Sequence, residues 1–218
     1  MPVPKGETLD PQRTRDAIID VAADLFYGQG LDGTGVAELC TRAGVSKETL
    51  YRHFGSKDGL VQAVLEKRSH RVARWLREAA ETAGDDPVDQ LAAVFDALGR
   101  WYAEPSFRGC AIVNAATQRR SAPAGPAAYQ HLSRHLSLLR EIAARAGAAN
   151  PGALARQLLV LVEGATVVAD HLGEGDIARD ARDAALTLLR ASTLGGAEGS
   201  ATATPGEWGA DRRSPGSA

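Results

Sequence analysis

The segment Thr34–Lys57, TGVAELCTRAGVSKETLYRHFGSK, holds two short helical patterns separated by a glycine. Val36, Leu39 and Cys40 give the first pattern an inner face. Ala43 and Gly44 end it, because glycine adopts the left-handed geometry that a sharp turn requires. Ser46 is a capping residue for a second helix of barely two turns, which runs to about His53 with Leu50 and Phe54 facing inward. Two short helices joined by a tight glycine-containing turn make a helix-turn-helix, whose second helix enters a major groove. The bland alternative is any small helical subdomain with a solvated charged face.

The outward residues of the second helix suit the groove. Ser46, Lys47, Glu48 and Thr49 crowd its N-terminal end, which meets base edges in this motif. Tyr51, Arg52, His53 and Lys57 are donors suited to phosphate oxygens. Lys57 also stands beside Ser56, the cap of the next helix, whose first amides favour an anion. Arg42, Lys47, Arg52 and Lys57 against Glu48 alone make this patch positive, although the chain carries a formal net charge of −2. A protein that coats nucleic acid by bulk charge is excluded; any DNA contact comes from a local patch.

Outward from this segment, three helix starts share one device, a capping Asp or Asn followed by proline: Asp10-Pro11, Asp86-Pro87 and Asn150-Pro151. Helices are expected from these points to Tyr27, to about Tyr102 and to Leu172, with Gly28 and Gly30, Pro105 and Gly173 as stops. Lys57 to about Thr82 is a long amphipathic helix carrying Leu60, Val64, Leu65, Val72, Trp75, Leu76 and Ala79. Gly109–Arg119, Ala127–Ala146 and Asp176 to about Ser192 complete a count of about nine, and no stretch alternates with a period of two. The expected class is all-α: an N-terminal three-helix helix-turn-helix domain followed by a helical ligand-binding and dimerisation domain. The divisions are an arm at 1–10, the DNA-binding domain at 11–70, the effector and dimer domain at 71–194, and a disordered tail at 195–218.

Composition agrees. Of 218 residues, 44% are hydrophobic and only 5% aromatic, a balance of Ala, Leu and Val that favours helices. No apolar run approaches the ~20 residues of a membrane span, and MPVPKGETLDPQ lacks a secretory apolar stretch. Cys40 and Cys110 stand too far apart in sequence for metal-ligand spacing. The expectation is a soluble cytoplasmic protein with no metal and no cofactor. No nucleophile motif, phosphate-binding glycine loop or acid–base pair at diagnostic spacing supports the rival reading, a helical enzyme, so no catalytic residue is assigned.

The stretch Arg13–Arg68 closely resembles the N-terminal domain of the TetR family of bacterial transcriptional regulators, most specifically in AGVSKETLYRHFGSKDGL. The resemblance implies a three-helix DNA-binding domain followed by a long linking helix. It implies base contacts at Lys47 and Thr49 and phosphate contacts at Tyr51, His53 and Lys57. At Gly35 the family often has a capping Thr or Ser that touches a phosphate, and here Thr34 stands just before it instead. Ala37 stands where many members carry a base-reading Arg, so the residue anchoring that end of the site is open. Further on, FRGCAIVNAATQ (107–118) resembles a Gly-Cys-x-x-x-Asn element of many C-terminal domains of the family, and LARQLLVLVEGATVVADHLG (154–173) its penultimate, dimer-forming helix.

Residue patterns alone also point to a homodimer. Leu158, Leu161, Val162, Ala165, Val168 and Ala169 form a face too wide for one small core, and Ala184, Ala185, Leu188 and Leu189 do the same in the last helix. Paired with their symmetry mates, these helices would make a four-helix isologous interface, the alternative being a monomer core that buries both. Trp75, Trp101, Tyr102, Phe107, Cys110, Val113, Asn114 and Thr117 are candidates for a mostly apolar effector cavity with polar hooks, each with core packing as its rival. Cys110 and Asn114, one helical turn apart, are expected to share that cavity with Trp101 and Phe107. His131 and His135 have metal-capable spacing but read as surface residues. Glu163, Asp170 and His171 either orient a polar ligand or pair across the interface. The resulting expectation is a repressor that binds a palindromic double-stranded DNA operator as a homodimer and is released by a small-molecule effector. An architectural DNA binder without an effector is the second rival.

Overall fold

The computed structural model describes residues 10–119, 122–173 and 176–194. Among them it contains nine helices: α1 (Pro11–Gly33), α2 (Val36–Ala43), α3 (Lys47–Phe54), α4 (Lys57–Thr82), α5 (Pro87–Tyr102), α6 (Ala111–Gln118), α7 (Ala124–Arg145), α8 (Pro151–Leu172) and α9 (Ile177–Leu194). The expected arm, apart from Asp10, and the expected tail with Trp208 lie outside the described residues.

The caps read from the sequence fix the helix starts. Asp10, Asp86 and Asn150 accept hydrogen bonds from the amides of Gln12, Val88 and Ala153 (2.9, 2.8 and 3.0 Å), satisfying first-turn donors that would otherwise be orphaned. Two boundaries differ from expectation by three residues or more. The span of α1 runs past Tyr27 to Gly33, but its backbone leaves the helical region at Gly30 (φ 77°, ψ 169°), so the long segment stops there, as expected of that glycine, and a short turn follows to Gly33. Helix α7 begins at Ala124 instead of Ala127, because Pro126 falls in its first turn, where a missing amide costs no helical bond.

Two cores hold these helices. The first gathers Ile18, Leu25 and Phe26 of α1, Leu39 of α2, Leu50 of α3 and Leu60, Val61 and Val64 of α4. It also takes in Ile112 and Ala115 of α6 and Ala124, Ala127 and Ala128 of α7. The second joins Leu76 and Ala80 of α4 to α5, α7, α8 and α9. Helix α4 thus belongs to both, its first half to one core and its last turns to the other. A displacement of α4 is felt in each, since close-packed interiors transmit strain.

Pro151–Leu172 is long and apolar enough, by length and composition, to cross a membrane, contrary to the expectation that no stretch would be. Its inner face, from Leu154 to Ala165, is packed in the second core.

Candidate nucleic-acid interface and effector clefts

The turn between α2 and α3 is built as the sequence suggested. Gly44 is left-handed (φ 66°), and the Val45 amide donates to the Cys40 carbonyl at 3.0 Å while that of Gly44 donates to Thr41 at 3.3 Å. This double bond pattern closes the end of α2 and aims the chain back for α3. Ser46 Oγ accepts from the Thr49 amide at 3.1 Å and lies 3.0 Å from Thr49 Oγ1. Leu50 is fully buried and anchors α3 from beneath. Lys47 and Glu48 project into solvent, neither ion-paired among the described residues. Tyr51 and Arg52 are exposed one turn on, and His53 is half-buried beside Phe54. A shallow groove of about 350 Å³ follows this face, edged by Ser46, Thr49, Arg52 and His53.

Thr34 does not belong to this surface. It is 0% exposed, and its hydroxyl donates to the carbonyls of Gly30 (2.9 Å) and Leu25 (3.4 Å). Thr34 and Gly35 are both extended, so neighbouring side-chain directions alternate and only Gly35 faces out. Gly35 caps α2 without a side-chain bond, leaving the first amides of that helix open to solvent or to a phosphate. Lys57 is half-buried; its ammonium donates to the Leu31 carbonyl at 2.5 Å, tying the start of α4 to the end of α1 with two protons to spare.

Behind the α2–α3 helix-turn-helix lie two clefts, where one cavity was expected. The larger, about 740 Å³, is lined by Asp24 and Tyr27 of α1, Arg68, Arg71, Val72 and Trp75 of α4, and Arg100 and Trp101 of α5. The smaller, about 360 Å³, lies between α1, α4 and α6 and includes Arg108, Asn114 and Gln118. Tyr27 and Arg68 line both, the Arg68 guanidinium standing 4.7 Å from the centroid of the Tyr27 ring. Of the expected pocket residues, Trp75 and Trp101 share the larger cleft and Phe107 backs Trp101 edge-on at 4.8 Å. Asn114 lies in the smaller one, its amide donating to the Arg108 carbonyl at 2.9 Å. Thr117 bonds its own helix at Val113 and lines neither cleft. Cys110 points inward to His131 Nε2 at 3.4 Å. The split arises because Tyr27 stands between: its hydroxyl accepts from the Arg108 amide (2.6 Å) and lies 3.3 Å from the Gly109 carbonyl.

Sequence reasoning missed Tyr27, Arg68, Arg108, Gln118 and Arg119. Arg68, Val72 and Trp75 share one face of α4 by spacing, so Arg68 was findable; the others depend on tertiary contact. Gln118 Oε1 accepts from the Leu31 amide at 3.1 Å, and Arg119 pairs with Asp32 and with Asp58 (3.3 Å). The end of α6 is thereby fastened to the end of α1 and the start of α4.

Residues 18–64 match the bacterial regulatory proteins of the tetR family. A solved TetR-type transcriptional regulator from Streptomyces avermitilis is 33% identical, with a TM-score of 0.71 over 82% of this chain and 97% of that one. The chain belongs to the TetR family. Among curated relatives, the transcriptional activator FasR of Mycolicibacterium smegmatis is 34% identical over 90 residues, 41% of each chain. The transcriptional repressor ComR of Escherichia coli is 33% identical over 123 residues, 56% of this chain and 58% of ComR. The chain matches less than two thirds of the length of either.

In this TetR-family chain the expected dimer residues need correction. Leu158, Val162, Ala165, Ala169, Ala185 and Leu189 are buried within the single chain, and Leu161 and Leu188 are half-buried against the same core. Helix α8 packs on α5, α7 and α9 together, which accounts for its wide apolar face. Only Val168 of the expected set on α8 is exposed, and it belongs to a different stripe with Val160 (71% exposed), Val167 (53%) and Leu172 (65%). On α9 the exposed small residues are Ala184, Thr187 and Ala191.

His131 and His135 also depart from expectation. Both are buried, with ring centroids 4.2 Å apart. His131 Nδ1 meets Ser69 Oγ at 3.2 Å, and burial, reinforced by His135, Arg134 and Arg68, pushes its pKa down to about 3. His135 lies 3.5 Å from Glu163. Burial likewise raises the pKa of the Cys110 thiol, so it is held protonated rather than poised as a thiolate. Among the described residues no cluster of three or more His, Cys, Asp or Glu side chains is arranged to hold a metal ion.

Proposed function

We propose that the protein is a cytoplasmic, ligand-responsive repressor that binds a palindromic operator as a homodimer. Residues 11–70 form the reading head and 71–194 the effector and dimer part. One observation carries the DNA-binding reading: α3 is anchored by buried Leu50 and the Gly44 turn, yet presents Lys47, Glu48, Tyr51 and Arg52 to solvent around the Ser46 cap. Lys47 and Thr49 read base edges, while Tyr51, Arg52, His53, Lys57 and the open amides after Gly35 hold phosphates.

The stripe Val160, Val167, Val168 and Leu172, beside Ala184, Thr187 and Ala191, supports pairing of α8 and α9 with a second copy. Exposed valines and a leucine at helical spacing gain free energy when a symmetry mate removes them from water, and small residues let helices approach closely. A molecule in the clefts touches α4 and α1 together, and by binding two orientations of the head unequally it shifts DNA affinity. FasR is named an activator and ComR a repressor; we take repression because the clefts border the reading head, so an occupant displaces it directly.

Selection of DNA from a random pool by the purified protein tests the reading. The expected product is an inverted repeat whose half-sites stand about one helical turn, 10–10.5 bp, or a multiple apart. Lys47→Ala should relax preference at one base pair per half-site by ~1–3 kcal/mol. Recovery of unrelated sequences with no shared half-site would remove the operator reading.

A further inference from the structure

We propose that the larger cleft takes an aromatic carboxylate, a planar organic acid whose carboxylate pairs with Arg68 and whose ring lies against Trp75 and Trp101. This rests on the effector-responsive reading above and specifies its chemistry.

Arg68 is the pivot. It sits mid-way along α4, half-buried, and burial lowers its pKa from the ordinary guanidinium value without removing its charge. Of the other cations on α4, Lys67 pairs with Asp20 and Arg77 with Glu141, both at 2.8 Å, whereas Arg71, in the same cleft as Arg68, has no acidic partner among the described residues. Among the described residues no carboxylate lies within ion-pair distance of Arg68. Its described contact is the face of Tyr27, which is itself fixed by the loop before α6. Asp24 of the same cleft favours the charge from a distance without an ion-pair contact, so this partly buried cation is incompletely compensated, and an anionic ligand supplies what is missing. The planar fork of donors matches a carboxylate's two oxygens.

The remaining walls define the rest of the ligand. Arg71 and Arg100 join Arg68 against Asp24 and Glu104, leaving the cleft net positive. Trp75 and Trp101 meet edge to face at 6.3 Å, with Phe107 behind Trp101, so aromatic rings line the same cleft as the guanidinium groups. A volume of about 740 Å³ is far more than a small inorganic anion fills. The smaller cleft, with Arg108, Asn114 and Gln118, is where such an anion would fit instead. Because Asp24 and Tyr27 come from α1, an acid bridging Arg68 and the indoles touches the reading head directly.

The test uses the full chain with 2-naphthoate, its uncharged counterpart 2-naphthamide, and inorganic phosphate. Tryptophan fluorescence, melting temperature and release from the selected operator are read in parallel. Naphthoate should quench fluorescence and raise the melting temperature, with the amide weaker by about tenfold or more, the loss of a charge-assisted pair. Arg68→Met should bring acid and amide to equal affinity, while Arg74→Gln, on the same helix but outside the cleft, should leave the difference intact. Should Arg68→Met not fold, the comparison of acid and amide on the unmodified protein decides alone. Equal or tighter binding of the amide, or no response to naphthoate at millimolar concentration, overturns the proposal. Displacement of naphthoate by phosphate would show a simple anion site and overturn its aromatic half. If the amide binds and releases DNA, the effector reading survives and only the charge assignment falls; if naphthoate binds without releasing DNA, the cleft chemistry stands and the effector reading falls.

Discussion

Gly59→Ala separates two ways of reasoning about this protein, because they predict opposite signs. Gly59 lies in the first turn of α4, where its amide donates to the Ser56 cap at 3.0 Å. By helix propensity alone, alanine there should stabilise the protein by ~1 kcal/mol. The tertiary structure says otherwise. A Cβ added at Gly59 would stand 2.0 Å from the Phe54 carbonyl oxygen, whereas ordinary contact begins near 3.4 Å. The clash is with backbone, so no rotamer change relieves it; the end of α3 must move away from the start of α4. Overpacking costs ~1–3 kcal/mol, and a 2.0 Å approach to backbone falls at the upper end of that range, so after the propensity gain a net loss of up to ~2 kcal/mol remains. The same displacement strains the Lys57–Leu31 tie and tilts the reading helix, so operator affinity should fall as well. Urea unfolding followed by far-UV dichroism measures the first effect and a binding titration the second. A variant as stable as the parent, or more so, would refute the close approach of α3 and α4.

Other outcomes follow from the same geometry. His131 has a folded-state pKa of about 3 against an ordinary 6.5; the unfolded chain therefore binds its proton first, and stability is complete above 6.5 and lost as pH falls towards 3. The slope from this group is at most ~1.4 kcal/mol per pH unit, and His131→Gln should flatten the urea midpoint over that window; an unchanged profile would mean that His131 titrates normally. Lys57→Ala should lower the salt slope of DNA binding by roughly one unit and cost about 1 kcal/mol of stability through the lost Leu31 bond; lower stability with an unchanged slope would leave it a purely structural tie. Thr34→Val should cost about 1 kcal/mol and leave the salt slope alone; a reduced slope would return Thr34 to the phosphate contacts. Val167→Glu should convert a dimer to folded monomers by light scattering, while Leu158→Glu should unfold the chain; a parent protein that is monomeric at micromolar concentration defeats the interface.

The DNA-reading half was legible in the residues because its determinants are local. A cap, a glycine turn and a four-residue spacing act within one or two helical turns, so the amino-acid order suffices to place Ser46, Gly44 and Leu50. The ends of α4, α5 and α8 followed from the same short-range rules. What lay beyond them was decided by which helix packs on which. The periodicity of α8 marks residues that avoid water but not the partner that covers them; α5, α7 and α9 cover Leu158, Val162 and Ala165, leaving the Val160–Leu172 stripe exposed. Likewise His131 and His135 carry no sequence mark of burial, which comes from the helices packed around α7. Arg68 owes its place in the cleft to Tyr27, forty-one positions earlier in the chain, and to the loop that holds that ring. Local sequence sets where helices begin and how they turn; only packing among distant segments decides which face is core, which charge is drawn out of water, and where a ligand can sit.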